Sequence, residues 1–256
     1  MSLAIVGTDT GVGKTVVSAL LLARCGKGGG ASGPAAGAEP FLLRTQAPEV
    51  AYWKPVSTGV ERDRDSVFIA TRLADRVKVL EEEYRFTPPV SPHLAARMAG
   101  VEIDLDRLEA AWRRHTSVAG RAILLEGIGG VLVPLNDRGD LFADFLARVR
   151  IPVAVVARTT LGTINHTLLS LEALRRREIP VAGVILDGPP SAENREAIER
   201  FGQVEVVAEA TPLLGGLNPS RAAILNGAAT FDPLGVLARA LLSAVARDSL
   251  DEIAQG

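Results

Sequence analysis

Residues 3–15, Leu-Ala-Ile-Val-Gly-Thr-Asp-Thr-Gly-Val-Gly-Lys-Thr, decide the fold of this chain. The stretch opens with an apolar run at 3–6, which is typical of a short buried strand. A longer apolar run at 16–22 follows and predicts a helix, so the glycines lie where a strand turns into a helix N-terminus. The sequence therefore predicts a strand, a tight loop and a helix at this point.

The loop has the properties of a polyphosphate site. Glycine lets the backbone approach an anion closely, consecutive N–H groups converge on it, and the helix dipole adds partial positive charge. Lys14 would neutralise the β and γ phosphates, and the Thr15 hydroxyl would complete the shell of a magnesium ion. The standard P-loop has a glycine where this chain has Thr8, with Gly7 one residue earlier. A glycine-rich turn that only closes a strand–helix unit is the alternative.

The composition indicates a single domain over residues 1–256. The chain has 256 residues, 47% of them hydrophobic, which is ample for a sizeable core. The formal net charge is -2 with both signs interspersed, so we expect neither a nucleic-acid nor a membrane partner. Neither a signal peptide nor an apolar run of roughly 18–20 residues is found, so we expect a cytoplasmic protein.

Strand and helix patterns alternate along the rest of the chain. Further strands are predicted at 50–53, 121–125, 153–157, 181–186 and 204–207. This alternation predicts an α/β fold with a mostly parallel sheet covered by helices on both faces, a three-layer sandwich. Small residues at 26–37 predict a flexible Gly/Ala-rich loop, and 234–246 predicts a C-terminal helix.

The strand predicted at 121–125 ends in Glu126, which a glycine-rich turn at 127–130 should follow. Ligands of an open parallel sheet bind beyond the C-terminal ends of its strands, where Glu126 and the loop at 7–15 both lie. A carboxylate at such an end has little structural purpose, so Glu126 is predicted to belong to the ligand site. Proline and glycine at 54–59 predict a loop after the second strand, and prolines at 87–93 predict a rigid surface loop.

Five short motifs occur along the chain, each weak by itself. They are Gly-Thr-Asp-Thr-Gly-Val-Gly-Lys-Thr (7–15), Trp-Lys-Pro-Val-Ser-Thr-Gly (53–59), Ser-Pro-His (91–93), Glu-Gly-Ile-Gly-Gly (126–130) and Leu-Gly-Thr-Ile-Asn-His (161–166). Together and in this order they resemble the dethiobiotin synthetase family. The resemblance implies a P-loop NTPase fold, a homodimer, and the use of ATP, Mg2+ and CO2 to convert 7,8-diaminononanoate into dethiobiotin.

The resemblance also implies the chemistry: a carbamate forms on one amine, the γ-phosphate transfers to it, and the second amine closes the ring. Such a phosphoryl transfer needs positioning and positive charge more than a protein nucleophile. By position, Lys14 would act on the β and γ phosphates and Lys54 between carbamate and phosphate. Thr10 and Thr58 would contact the reacting end of the substrate. An ordinary surface lysine is the alternative for Lys54.

Magnesium would be held, on the same resemblance, by Thr15, Asp65 and Glu126. Two carboxylates and a hydroxyl leave room for phosphate oxygens and water, which suits this hard cation. A plain helix cap is the alternative for Asp65. The residues expected around the nucleotide are Asp9, Gly11, Val12, Gly13, Lys14, Thr15, Val16, Glu126, Gly129 and Asp187.

A homodimer would complete the site, because the family implies that the partner subunit holds the substrate carboxylate between Leu161 and Asn165. A helix begins there, and helix N-termini bind carboxylates. The alternative is that the glycine in this segment only relieves crowding. Two departures affect details: Gly11 stands where relatives often have an acid, and Asp187 where an asparagine typically reads the nucleotide base. An ionised aspartate only accepts hydrogen bonds, which leaves the base preference open.

Two rival classes share this kind of loop. Cobyrinate-type amide synthases carry a glutaminase domain with a nucleophilic cysteine, whereas Cys25 falls in the first predicted helix. Partitioning ATPases of the ParA and MinD kind have a signature lysine at the position of Asp9, and they need a DNA-binding or membrane-binding surface. The sequence favours the ligase over both.

Overall fold

The computed structural model describes residues 2–26, 48–60, 65–216, 218–232 and 235–242. The strands in this part of the chain are β1 (Leu3–Gly7), β2 (Glu49–Trp53), β3 (Val56–Thr58), β4 (Lys78–Val79), β5 (Tyr84–Phe86), β6 (Arg121–Gly130), β7 (Val153–Arg158), β8 (Val181–Asp187) and β9 (Val206–Ala210). Seven of them form one sheet in the order β4-β2-β6-β1-β7-β8-β9, and every adjacent pair is parallel. β3 and β5 form a separate parallel pair.

Helices lie between these strands and after the last of them. They are α1 (Lys14–Cys25), α2 (Asp65–Leu73), α3 (Pro92–Met98), α4 (Leu105–Thr116), α5 (Phe142–Val149), α6 (Thr163–Arg175), α7 (Ala192–Gly202), α8 (Arg221–Thr230) and α9 (Val236–Leu242). Within the described residues, none of these helices is long and apolar enough to cross a membrane.

The sheet buries side chains on both faces, because successive residues of a strand point in opposite directions. Ala4 and Val6 of β1 belong to one apolar core, to which α3 to α7 contribute. Leu3 and Ile5 belong to the other core, to which α1, α2, α8 and α9 contribute. The predicted three-layer α/β sandwich is confirmed.

β1 lies between β6 and β7, and this places the loop at 7–15 beside the end of β6. The sequence predicted that a strand would end at residue 125, and this boundary was wrong: β6 continues through Glu126 to Gly130. Glycines without side chains let this extension stay close to β1, with Gly7 paired to Gly130 after a register shift. A Cβ on Gly127 would lie 2.8 Å from the Phe142 ring, so this position needs glycine.

The predicted loop at 54–59 is also corrected, because Val56–Thr58 forms β3 against β5. The last strand is Val206–Ala210, about two residues later than 204–207. α9 falls within the predicted C-terminal helix at 234–246, of which residues 234 and 243–246 lie outside the described residues. The predicted loop at 26–37 lies outside them too, apart from Gly26. A single domain over 1–256 stays a prediction.

Candidate active site

A cleft of about 550 Å³ opens at the C-terminal edge of the sheet. It is lined by Thr10, Gly11, Gly13, Lys14, Thr15, Val16, Lys54, Thr58, Gly59, Asp65, Phe68, Pro89, Val90, Ser91, Pro92, Glu126, Ile128, Gly129 and Val133. Four of the five motifs quoted above contribute to this lining. Segments far apart in sequence therefore meet at one place, as expected for a parallel sheet.

The glycine loop leads directly into the start of α1. Gly13 is the N-cap residue and has left-handed backbone angles, φ 91° and ψ 10°, which glycine adopts without strain. Its carbonyl accepts the first helical hydrogen bond from Val17 N at 2.9 Å. The first N–H groups of α1 thus lie at the cleft with the positive end of the helix dipole, which favours an anion there.

Lys14 reaches across the loop. Its Nζ donates to the carbonyl oxygens of Asp9 and Gly129, both at 2.9 Å. Burial, and then the neighbouring charge of Lys54, lowers the pKa of Lys14 to about 8. A bound phosphate would offset both effects, because it supplies the negative charge that this buried ammonium lacks.

Lys54, Asp65, Glu126 and Thr15 form a compact polar cluster on the floor of the cleft. The Lys54 ammonium contacts the Asp65 carboxylate and lies 3.3 Å from Glu126 Oε1. Thr15 Oγ1 lies 2.7 Å from Asp65 Oδ1 and 2.8 Å from Glu126 Oε1. The side chains of Lys54 and Glu126 are 8% and 0% exposed, so their charges interact with little screening by water.

The pKa values in this cluster follow from burial and mutual attraction. Burial opposes the charge of Lys54, but Glu126 and Asp65 outweigh it and raise the pKa of Lys54. Burial also opposes the charge of Asp65, yet Lys54 holds its pKa below the ordinary value. For Glu126 burial prevails over Lys54 and raises the pKa. Lys54 is therefore charged at neutral pH and is not an ordinary surface lysine.

The same cluster has the chemistry of a magnesium site. The Thr15 hydroxyl has one proton and can donate to only one of the two carboxylates at a time. Thr15 Oγ1, Asp65 Oδ1 and Glu126 Oε1 therefore lie close together with one oxygen–oxygen contact that has no proton from Thr15. Adjacent ligands of octahedral Mg2+ lie about 2.9 Å apart, close to both contacts of Thr15. Glu126 Oε2 is buried and has no hydrogen-bond partner among the described residues. Among the residues that the structure describes, no three His, Cys, Asp or Glu side chains come together to hold a metal ion. Phosphate oxygens and water would therefore complete the coordination shell of Mg2+.

The two predicted threonines lie at the cleft beside apolar groups. Thr10 and Thr58 line it together with Val90, Ile128 and Val133. A second cavity of about 350 Å³ also includes Thr10 and Val133 in its wall. The two cavities therefore meet at Thr10, Gly129 and Val133.

Three residues predicted to bind nucleotide lie outside the lining of the main cleft. Asp9 borders the second cavity, and its Oδ2 is 3.0 Å from Arg158 Nη2. Asp187 lies against the loop, because a Cβ on Gly13 would come 1.9 Å from Asp187 Oδ2. The side chain of Val12 is buried in the core, which leaves its backbone for a ligand. Burial raises the pKa of Asp187 to about 6.

The segment predicted to hold a partner's substrate, 161–165, is not part of the wall of either cavity described above. Leu161 is fully exposed, and Asn165 lies on an exposed turn of α6. Gly162 is the N-cap of α6, with φ 91°. These positions can contact a neighbouring molecule.

Several residues of the site were missed by sequence reasoning. Pro89 and Pro92 form a wall of the cleft, although the prolines predicted only a surface loop. Arg158 pairs with Asp9, and its position directly after an apolar run was the available signal. Tyr52 and Ser18 bring two further buried hydroxyls near Glu126, which no local pattern indicates. Neither hydroxyl is placed to form a hydrogen bond with Glu126 Oε2 by distance and angle.

Comparison with known proteins bears on the fold first. A ParA family ATPase from Chlorobium tepidum TLS has a TM-score of 0.51 and 12% sequence identity, covering 94% of this chain and 97% of that chain. A chain of the MinC:MinD cell division protein complex from Aquifex aeolicus has a TM-score of 0.53 and 12% identity, covering 89% and 93%. At this identity the likeness shows the fold alone, a P-loop type of α/β sandwich.

Sequence comparison is more specific. The family model described as an AAA domain matches residues 40–219. The ATP-dependent dethiobiotin synthetase BioD of Brucella ovis is 42% identical over 221 residues, covering 86% of this chain and 89% of that protein. The protein of the same name from Brucella melitensis biotype 2 is 41% identical over 221 residues, with coverage of 86% and 89%. Identity of this extent, in a chain that brings four of the family's five motifs to one cleft, shows that the chain belongs to the dethiobiotin synthetase family.

Proposed function

We propose that this chain catalyses the ATP-dependent carboxylation and ring closure of 7,8-diaminononanoate to dethiobiotin, a step of biotin biosynthesis. The proposal rests on family membership and on one observation in particular. The Lys54 ammonium lies among Thr15, Asp65 and Glu126, next to a helix N-terminus that suits a polyphosphate. An ammonium and two carboxylates that could hold a metal ion thus lie where a phosphoryl group would transfer.

ATP is proposed to bind along the glycine loop as a co-substrate. Backbone N–H groups of Gly11, Val12, Gly13 and Val16 would face the phosphates, and Lys14 would turn from its two carbonyl partners toward the β and γ phosphates. Because the Lys14 ammonium is already buried at the loop, its redirection requires only side-chain rotation.

Magnesium is proposed to be held by Thr15, Asp65 and Glu126. When bound, the ion would polarise the transferring phosphoryl group and neutralise its charge. The two carboxylates would then exchange part of their contact with Lys54 for the ion, which frees the Lys54 ammonium to face the substrate. Lys54 would balance the charge of the two carboxylates before the ion binds, and the charge of the transferring phosphoryl group afterwards.

The proposed reaction has three steps. One substrate amine adds to CO2 and loses a proton, giving a carbamate. A carbamate oxygen attacks the γ-phosphorus and ADP leaves, with Lys14 and Lys54 stabilising the negative charge that spreads over the phosphoryl oxygens. The second amine attacks the carbonyl carbon, phosphate leaves, and a proton is lost as the ring closes. Thr10 and Thr58 would orient the amines, and backbone N–H groups after Glu126 would add to that cradle.

A homodimer is proposed on family membership, which implies that a second copy holds the substrate carboxylate at the start of α6. The exposed N-terminus of α6, from Leu161 to Asn165, would bind it with backbone N–H groups. Asp9 and Asp187 are proposed to border the nucleotide, and Asp187 would accept a hydrogen bond from the amino group of a base. A cytoplasmic location stays a prediction.

The deciding experiment incubates the pure chain with 7,8-diaminononanoate, bicarbonate, Mg2+ and each nucleoside triphosphate in turn. We expect a ureido product and one nucleoside diphosphate per product. Nucleotide hydrolysis without product, stimulated instead by DNA or by liposomes, would overturn the proposal in favour of a partitioning ATPase. Omitting Mg2+ with EDTA should abolish product formation.

A further inference from the structure

Glu82 is a buried carboxylate that takes no part in the chemistry proposed above. It lies in the connection between β4 and β5, and its side chain is 3% exposed. Ser57 Oγ donates to Glu82 Oε1 at 3.3 Å, and Ser66 Oγ donates to the same oxygen. Arg85 Nε lies 3.8 Å from the other oxygen. A buried charge is costly unless it is paired and hydrogen-bonded, so these contacts fix Glu82 in place.

Both serines are the sequence neighbours of residues that line the cleft. Ser57 precedes Thr58 in β3, and Ser66 follows Asp65 in α2. Successive strand residues point to opposite sides, so holding Ser57 on Glu82 turns Thr58 toward the cleft. Successive helix residues are about 100° apart, so holding Ser66 fixes the rotation of α2 at which Asp65 meets Thr15 and Lys54.

The backbone around Glu82 is attached to the same region. Glu83 N and Tyr84 N both donate to the carbonyl oxygen of Pro55, at 2.9 and 3.1 Å. Pro55 directly follows Lys54. One short segment therefore contacts the strand that carries Thr58, the residue after Lys54, and the helix that carries Asp65.

We infer that Glu82 is a positioning residue, which joins β3 to α2 through Ser57 and Ser66 and thereby holds Thr58 and Asp65 in their productive places. It acts by accepting two hydrogen bonds, and its negative charge is secondary. The inference rests on the proposed function, since it explains how the groups of that site are kept in register.

The test compares Glu82→Ala with Glu82→Gln, whose amide oxygen accepts the same two hydrogen bonds. Displacement of site groups by Glu82→Ala should lower kcat about ten- to hundredfold, because misplacement of about 1 Å has effects of that size. The dissociation constant of Mn2+ in the presence of ADP, measured by electron paramagnetic resonance, should rise about tenfold. Nucleotide affinity in EDTA should stay unchanged, because the hydrogen bonds and ion pair of Glu82 go to Ser57, Ser66 and Arg85 and not to the loop at 7–15. Glu82→Gln should restore most of both losses.

Glu83→Ala is the matched control. Glu83 is the next residue, and its replacement removes ion pairs with Arg107 and Arg114 on the face turned to α4. This substitution should change the melting temperature without changing the dissociation constant of Mn2+. A merely structural Glu82 would behave in the same way, and that result would overturn the inference.

Equal impairment of the alanine and glutamine variants would also overturn the inference, because charge would then matter more than hydrogen bonding. If Glu82→Ala does not fold, Ser66→Ala decides: loss of one hydrogen bond should weaken Mn2+ binding about fivefold, and an unchanged constant refutes the inference. Failure of the proposed function is distinguishable, because wild-type protein would then make no product while the Mn2+ and nucleotide measurements remain valid.

Discussion

Replacing Lys54 by alanine removes the ammonium that contacts both Asp65 and Glu126. Breaking a buried ion pair costs about 3–5 kcal/mol. We expect about 3 kcal/mol, the lower end, because Glu126, whose pKa burial already raises, can take up a proton once Lys54 is gone. In a chain of this size about 1 kcal/mol shifts the melting temperature by about 2–4 °C. The variant should therefore melt about 6–12 °C lower in EDTA, and Mg2+ with ADP should restore part of this loss.

Turnover and nucleotide binding should respond differently to the same change. Product formation should fall by at least about 10²–10³-fold, the usual effect of losing a charge-stabilising group, while ATP affinity in EDTA stays near that of the wild type. Lys54→Met, which keeps the apolar stem, should lose turnover equally. Lys78→Ala is the control, because Lys78 is 54% exposed and lies 4.0 Å from its carboxylate partner. Equal losses of turnover and ATP affinity, or an unchanged melting temperature, would refute the role of Lys54.

Three further predictions concern the loop and its neighbours. Thr15→Val removes the hydroxyl that meets Asp65 and Glu126, so the Mg2+ concentration for half-maximal turnover should rise about 10- to 100-fold, whereas Thr15→Ser should stay near wild type. Gly13→Ala should lower the free energy of unfolding, measured in urea titrations, by at least about 1–3 kcal/mol, which is the cost of the positive φ by itself. The added Cβ would also lie 1.9 Å from Asp187 Oδ2, so the loss should exceed that cost. Burial raises the pKa of Asp187 from 3.8 to about 6, so the folded chain keeps a proton that the unfolded chain loses, and wild-type stability falls across this range. Asp187→Asn should therefore gain stability over wild type as pH rises from about 4 to 6 and hold a constant gain above; a gain independent of pH would contradict the assignment.

Local pattern was enough to predict the start of the fold. A strand, a glycine loop and a helix within residues 3–22 are decided by side chains close in sequence. Glu126 could be predicted as a site residue because parallel strands end at one edge of a sheet. Alternation of strand and helix patterns likewise predicted the three layers, since each layer must bury an apolar face.

Features that depend on distant partners were not accessible in this way. β3 pairs with β5, about 28 residues further along the chain, and nothing local to Val56–Thr58 indicates that partner. The extension of β6 to Gly130 depends on close approach to β1. Glu82 lies in a run of three glutamates at 81–83, and only the packing of Ser57 and Ser66 shows that one of them is buried.

The distinction between this chain and the switch ATPases of similar fold lies in the charge around the loop. At 12% identity the shared sandwich explains where a nucleotide would bind, and it does not explain what happens to the phosphate. Asp9 occupies the position at which a partitioning ATPase has its signature lysine, and here its carboxylate pairs with Arg158 of the same chain. A carboxylate repels a partner's phosphates, so ATP has no reason to hold two copies together through this residue. We propose instead that Lys54, on the floor of the cleft, stabilises a phosphoryl group as it transfers to a carbamate within the same subunit.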